Sequence, residues 1–336
     1  MNKFKFAVIG MGHIGKRHAQ MIKNNPDAEL VAAVDVNTAL KDEIESQFGC
    51  AYFSSIDELM ASDIKIDVVN VCTPNGYHAE HAIKALDRDC HVVVEKPMGL
   101  TKAACEQVIY KSLQAHKHVF CVMQNRYSPP SAWLKQVLTE ERLGKIFMAQ
   151  INCYWNRDER YYKKGGWKGT LDLDGGPLFT QFSHFLDIMY WLLGDINDIQ
   201  ARFENFNHAY TPFEDSGSVN FKFINGGIGV LNYSTSMWDK NLESSITIIG
   251  EKGSIKVGGQ YMDKVEYCHI ENYTMPELPP SNPPNDYGAY KGSAANHHYV
   301  IENVVDTLKG KTSATTNALE GLKVVEIIER IYALKP

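Results

Sequence analysis

Val8–Ala19, VIGMGHIGKRHA, satisfies two phosphate-binding patterns at once. Gly10, Gly12 and Gly15 make G-x-G-x-x-G, the turn of a dinucleotide-binding fold, whereas Gly10, Gly15 and Lys16 make most of a nucleoside-triphosphate loop, G-x-x-x-x-G-K. The two readings part at the next residue. A triphosphate loop needs Ser or Thr after Gly-Lys, because that hydroxyl ligates magnesium; here the residue is Arg17. The dinucleotide pattern has its whole context. An apolar strand, Phe4–Ile9, runs into the glycines, a helix opens after them, and Asp35 closes the second strand, VAAVD, twenty residues past Gly15. In such a unit the glycines let the backbone approach a pyrophosphate that rests on the helix N-terminus, and the acid accepts hydrogen bonds from the ribose hydroxyls. His13 and Ile14 lie in the same turn and join the expected cofactor contacts. Asp35 also selects NAD over NADP: a 2′-phosphate would face a carboxylate, and DVNTA carries no Arg just after it to bind one.

Outward from this turn, strand and helix signals alternate. Apolar, β-branched runs at Phe4–Ile9, Leu30–Val34, Val68–Cys72, Val92–Val94 and Val119–Met123 are separated by segments of helical spacing such as Ser55–Met60 and His78–Leu86. Near-continuous apolar strands between helices predict a parallel sheet covered on both faces. After QNRYSPP the rhythm changes to longer alternating segments: Lys145–Trp155, Gly217–Ile224, Gly227–Ser236, Ser245–Ile249 and Val265–Ile270. Alternation predicts an antiparallel sheet with one covered face. A helix near Phe182–Leu193 interrupts the series, and two more close the chain near Asn296–Leu308 and Ala318–Leu334. The fold class is therefore α/β, with a doubly wound dinucleotide domain over residues 1–124 and a substrate domain over 125–336. The Pro-rich stretch before the closing helices, MPELPPSNPPNDYGAYKGSAANHH, is either a flexible connection or a substrate loop.

Bulk composition excludes several classes. The net charge of -6 and the absence of a run of basic residues leave no stripe for nucleic acid. The apolar runs are strand-sized, far below the roughly 20 residues of a membrane span. The seven cysteines are odd in number, scattered and never C-x-x-C, which argues against a disulfide framework or a zinc site and for a reducing, cytoplasmic setting.

In an open α/β sheet, ligands bind beyond the carboxyl ends of the strands. Two stretches fall there: VNVCTPNGYH after the third strand and VVVEKPMG after the fourth. Lys96 leaves an apolar strand before Pro97, where it is either a surface charge or a donor to a substrate oxygen, its pKa lowered by desolvation. The sequence leaves the isomer of the Lys96–Pro97 bond open.

GMGHIGKRH, CTPNGYH, EKP and DGGPLFTQFSHFLD, in this order and spacing, resemble the glucose–fructose oxidoreductase/inositol dehydrogenase/MocA family over essentially the whole chain. The resemblance implies a Rossmann domain followed by an α/β domain on an open, mostly antiparallel sheet that often forms oligomer contacts, commonly tetramers. It also implies hydride transfer between a nicotinamide and a sugar carbon. Carried over by motif, Lys96 is the catalytic lysine and His184 the histidine at the start of the second-domain helix. Thr73, Pro74, Asn75 and His78 line the cofactor site, with Glu95 and Lys96 near the nicotinamide. The chain departs from the family at one point: many members have Asp four residues before the histidine and Gly two before it, where this sequence has Thr180 and Phe182. NCYWNRDERYY, WKGTLDLDGGPLFTQFSHFLDIMYW and GSAANHH are similar to one branch, the UDP-N-acetylglucosaminuronate 3-dehydrogenases of the WlbA/WbpB type. That branch oxidises the C3 hydroxyl of a UDP-sugar acid for surface polysaccharides, and in some members 2-oxoglutarate reoxidises the bound NADH.

The residue types permit this chemistry. Alcohol oxidation sends hydride to NAD and a proton to a base. Lys96 and His184 are the candidate pair, one polarising the oxygen and the other taking the proton, in either order. A uronic acid needs a counter-charge, for which Arg157 and Arg160 offer bidentate donors, unless they pair with Asp158 and Glu159 at the surface. Thr180 and Gln181 are candidates for sugar hydroxyls or an acetamido group; Gln181 could instead cap a turn. Asn296 either contacts the nucleotide or caps its helix. Trp167 packs either near the nicotinamide or in the core. Adjacent His297 and His298 lack the three- or four-residue spacing of ligands on one helix face, and no metal is expected. The competing readings are an inositol or monosaccharide dehydrogenase, an NAD-dependent glycosidase and a non-catalytic NAD-sensing partner protein.

Overall fold

The computed structural model describes residues 3–288 and 290–335. The chain forms two compact units: residues 1–123 with 297–325, and residues 124–296 with 326–336.

The first unit runs β1 (Phe4–Ile9), α1 (His13–Asn24), β2 (Ala28–Val34), α2 (Lys41–Phe48), β3 (Ala51–Phe53), α3 (Ile56–Ala61), β4 (Val68–Val71), α4 (His78–Asp87), β5 (His91–Val94), α5 (Lys102–Ala115) and β6 (Val119–Cys121). The strands make one parallel six-stranded sheet in the order β3-β2-β1-β4-β5-β6. Val68–Val71 is buried throughout, as a central strand covered on both faces must be. Strand order reverses between β1 and β4, so the loops after these two strands flank the crevice where such sheets take ligands. They touch there: a Cβ on Gly10 would lie 2.8 Å from the carbonyl oxygen of Cys72, and Gly10 has φ +87°. Only glycine fits that approach and that backbone.

The second unit contains α6 (Pro129–Thr139), β7 (Ile146–Tyr154), α7 (Pro177–Thr180), α8 (Ser183–Leu193), β8 (Ile196–Glu204), β9 (Ser216–Phe223), β10 (Ile228–Ser234), β11 (Glu243–Gly250), β12 (Gly253–Gly258), β13 (Lys264–Ile270), and a hairpin of β14 (Pro284–Asp286) and β15 (Lys291–Ala294). Its seven-stranded sheet has the order β13-β12-β11-β7-β10-β9-β8, antiparallel except for the parallel pair of β7 and β10. Val219, Phe221, Phe223, Leu231 and Tyr233 point to the covered side, alternating with polar neighbours. α8 lies against β7 and α6 and is apolar nearly all round.

The closing helices are α9 (His297–Leu308) and α10 (Ala318–Tyr332). The expected second domain, 125–336, is too long. α9 packs on α1, and the segment after it bonds the edge of β6 through Cys121 N–H to the Thr316 carbonyl, 3.1 Å. Thus His297–Val325 completes the first unit, while the second half of α10 belongs to the other.

Candidate active site

The cofactor cradle in the first unit is built from backbone. Gly15 seats α1 on the turn, since a Cβ there would collide with the Gly10 carbonyl. Gly12 faces open space, with no heavy atom within 4 Å of its would-be Cβ, and it heads α1 without a side-chain cap. The three glycines thus make a tight turn, an open approach and a close packing contact, and the uncapped N–H groups of α1 fit an anionic phosphate. Asp35 Oδ2 accepts from Met11 N–H (2.7 Å) and Oδ1 from Asn37 N–H (2.8 Å). Each oxygen keeps a lone pair for ribose hydroxyls. Val36 beside it is almost fully exposed and carries no charge for a 2′-phosphate. Lys16, the residue that suggested a triphosphate loop, pairs instead with Glu43 on α2.

Lys96 follows the end of β5, half-buried, and its bond to Pro97 is cis. The residue before it is held hard. Glu95 Oε1 accepts from His18 Nε2 (2.9 Å) and lies 3.5 Å from His297 Nε2, while Oε2 accepts from Lys96 N–H (3.2 Å). Burial works to raise the Glu95 pKa, but the bonds from His18 and His297 prevail and hold it well below the usual carboxylate range. Glu95 therefore braces the backbone of Lys96 from inside the unit. His78 is held likewise: its ring is buried, with Nδ1 2.6 Å from the Pro97 carbonyl and Nε2 2.7 Å from the Thr73 carbonyl. It ties the two ligand-side loops together. Burial pushes its pKa down, against the pull of both carbonyls and Glu95. Thr73 Oγ1 bonds His81 Nδ1 (3.0 Å), and Asn75 opens the short turn before α4.

His18, Glu95 and His297 place three potential metal-ligand atoms within 4.8 Å, a grouping the sequence hid because its members are 77 and more residues apart. Its hydrogen bonds are those of a brace. Asn70 Nδ2 lies 2.8 Å from His18 Nδ1 and holds the ring with Nε2 facing Glu95. His297 Nδ1 is buried without a partner, where a metal-bound histidine would donate its second N–H.

In the second unit His184 sits in the first turn of α8, 3% exposed. One turn on, Asp187 takes two bonds from Arg126, Nε to Oδ2 at 2.9 Å and Nη2 to Oδ1 at 2.6 Å, both side chains fully buried. This bidentate pair fixes α8 against the turn Gln124–Tyr127 and so fixes where His184 stands. Sequence reasoning passed over both residues; the signal was an Asp inside the apolar run HFLDIMYWLL, a position that demands a partner. Thr180 replaces the family's aspartate, yet a carboxylate is present: the Thr180 hydroxyl bonds Asp174 through both the side chain and the carbonyl. Burial raises the pKa of Asp174, with Thr180 and the N–H groups of Gly169 and Gly176 opposing.

Three substrate candidates are committed to the fold. Arg160 is half-exposed and chelates Asp158, at 3.0, 3.0 and 2.7 Å, with Asp239 beyond. Arg157 is buried: it donates to the carbonyls of Asn156 and Lys291 and to Asn241 Oδ1. Its guanidinium carbon lies 4.7, 5.2 and 5.0 Å from the ring centres of Trp155, Tyr161 and Tyr290. It ties down the Pro-rich loop through its two terminal nitrogens, while its Nε is buried without a partner among the described residues. Asn296, fully buried, donates to the Gln124 carbonyl (3.3 Å) and Ser128 Oγ (3.1 Å) and accepts from Asn282 Nδ2 (2.7 Å). Trp167 is half-buried in the loop before α7, beside Lys168. Gln181 differs from all of these: it is buried, and neither end of its amide meets a partner among the described residues.

Comparison with known proteins agrees with this layout. Residues 4–122 match the model of the oxidoreductase family with an NAD-binding Rossmann fold, and residues 132–256 match the GFO/IDH/MocA C-terminal domain. The crystal structure of the WlbA dehydrogenase from Chromobacterium violaceum, in complex with NADH and UDP-GlcNAcA, is similar at TM-score 0.89 and 30% identity, covering 99% of this chain and 94% of that one. The Bordetella pertussis WlbA dehydrogenase, with the same two ligands, gives TM-score 0.89 and 29% identity, covering 99% and 96%. D-glucoside 3-dehydrogenase of Escherichia coli is 28% identical, over 98% of this chain and 94% of the relative. Among the described residues no helix is long and apolar enough to cross a membrane.

Proposed function

Because this chain belongs to the Gfo/Idh/MocA oxidoreductase family and is an NAD-dependent sugar dehydrogenase, we propose that it oxidises the C3 hydroxyl of UDP-N-acetylglucosaminuronate to the 3-keto sugar, a step toward surface polysaccharide sugars. The observation that carries this reading is the whole-chain similarity to a dehydrogenase holding NADH and UDP-GlcNAcA. Gly10, Gly12, Gly15, Asp35 and the start of α1 hold NAD, with His13 and Ile14 beside them and Thr73, Pro74 and Asn75 on the neighbouring loop. Held there, the nicotinamide would supply the hydride acceptor for C3.

The protein's own part is to hold the alcohol and move its proton. Lys96 polarises the reacting oxygen, its backbone fixed by Glu95 on one side and His78 on the other. His184 takes the hydroxyl proton or relays it, which leaves a ketone. 2-Oxoglutarate would serve as the reoxidant that regenerates the cofactor, leaving as the 2-hydroxy acid. The exposed apolar row Ile228–Met148–Ile249, in register across β10, β7 and β11, supports a homo-oligomer through this sheet, a tetramer in our reading, in the cytoplasm.

A second reading changes the sugar and keeps the carbon: oxidation of a neutral glucoside at C3. It is favoured by the commitment of Arg157 and Arg160 to the fold, which leaves neither as a carboxylate clamp, and by the glucoside 3-dehydrogenase relative. NAD-loaded protein is offered UDP-N-acetylglucosaminuronate, methyl glucoside and myo-inositol in turn. Reduced nicotinamide with the first supports the main reading; with the second alone, the glucoside reading; with inositol alone, both fall. Release of a sugar or aglycone without net reduction points instead to a glycosidase.

A further inference from the structure

The second unit contains a group of buried polar atoms that the fold leaves bare. Both ends of the Asn125 amide and both ends of the Gln181 amide lack partners among the described residues, as do Gln124 Oε1, Ser183 Oγ and Asn285 Oδ1. All five residues are at most 4% exposed. They lie on segments that pack on one another. The turn Gln124–Tyr127 rests on α8 and on β15, α7 abuts α8, and β14 pairs with β15. Folded proteins satisfy the great majority of buried polar groups, so such a concentration marks a place where something else supplies the partners. The atoms also say what kind of partner. Amides offer one donor group and one acceptor each and carry no charge, which suits hydroxyl and acetamido groups, since these also both donate and accept.

We propose that Asn125, Gln181 and Asn285, with Gln124 and Ser183, form a neutral amide subsite that reads the hydroxyl and N-acyl substituents of the pyranose ring. The assignment rests on the sugar-dehydrogenase reading and extends it to the residues that set specificity. Of these, only Gln181 stands out in the sequence. The subsite separates recognition of the ring from recognition of its acid group, since Arg157 and Arg160 are tied down elsewhere.

The test uses a property that a structural role would not show. A buried polar group without a partner destabilises the empty protein, so its replacement by an apolar side chain of similar size raises stability, while a group bonded within the fold gives the opposite sign. Asn125→Leu and Gln181→Met are compared with the parent as NAD complexes for thermal midpoint, NAD affinity, KM and kcat. The expected result is a higher midpoint, unchanged NAD affinity and a KM for the sugar raised roughly tenfold or more. A lower midpoint in both variants, or failure of both to fold, overturns the proposal. So does a higher midpoint with unchanged KM, which would mean that ordered water alone fills the site. If the parent turns over no sugar in the panel, the functional reading fails. Equilibrium binding of N-acetylglucosamine and methyl glucoside to the parent and the two variants then decides: weaker binding in the variants keeps the subsite, and equal binding removes it.

Discussion

The two units arrange their polar groups in opposite ways. In the nucleotide-binding unit nearly every polar side chain near the ligand edge is already bonded: Glu95 to His18 and Lys96 N–H, His78 to two carbonyls, Asp35 to two N–H groups. The cofactor contacts left open there are backbone, at Gly12 and the head of α1. In the second unit the charged groups are locked away, Arg126 with Asp187 and Arg157 behind aromatic rings, while neutral amides are left bare. A cofactor common to a whole family can be met by a rigid backbone cradle. A substrate that differs among members is met by exchangeable side chains on a rigid frame.

The sharpest way to break this contrast is at Lys96. Lys96→Ala is expected to lower kcat by roughly 10²–10⁴-fold while NAD titration shows the cofactor still retained. Turnover at the parent rate would end its assigned role. Next comes the frame of the second unit. Arg126→Met strands Asp187 in the core and is expected to cost about 3–5 kcal/mol in urea unfolding, with Asp187→Leu in the same chain recovering much of it. No loss would mean that the pair does not hold α8.

Asp35→Ala removes a charged acceptor and is expected to weaken NAD roughly 10–100-fold and narrow its advantage over NADP, read by parallel titrations. An unchanged preference would contradict the ribose contact.

A smaller effect tests the brace. The Glu95 carboxyl is held below its ordinary value of 4.5, so its contribution is full above that pH and drains away as the solution is acidified through the lower, folded value. Melting curves from neutral pH downward should therefore fall less steeply for Glu95→Gln than for the parent. An equal acid slope would place the charge elsewhere. The smallest effect is expected at Arg160. Arg160→Gln should leave the sugar KM where it was, since its donors already serve Asp158; a large rise would restore it as a carboxylate clamp.

Much of the first unit was legible because its signals are local. The glycine turn, the acid after the second strand and the apolar strands are each read within a dozen residues, and the expected β1, β2, β4, β5 and β6 lie where the patterns put them. What escaped was non-local or weakly patterned. His297 returns to His18 and Glu95 across most of the chain, and no spacing announces it. β8 is an edge strand with mostly polar residues, β12 is a short run between glycines, and the hairpin of β14 and β15 lies in a stretch dominated by proline. Arg157 and Arg160 look alike in NRDER but differ in setting: Arg157 follows directly on the Asn156–Ser236 bridge and is buried, whereas Arg160 falls in the turn closed on the Asp158 carbonyl and is exposed. Thr180, which stands where the family has an aspartate, bonds Asp174 six residues upstream, a pairing no motif spacing announced.

The most direct test of the central claim is a single turnover with labelled sugar. NAD-loaded protein is mixed with UDP-N-acetylglucosaminuronate carrying deuterium at C3, and the mass of the reduced cofactor is measured. NADH bearing that deuterium is the expected result. Unlabelled NADH would place the oxidation at another carbon, and no reduction with NAD demonstrably bound would contradict the substrate itself.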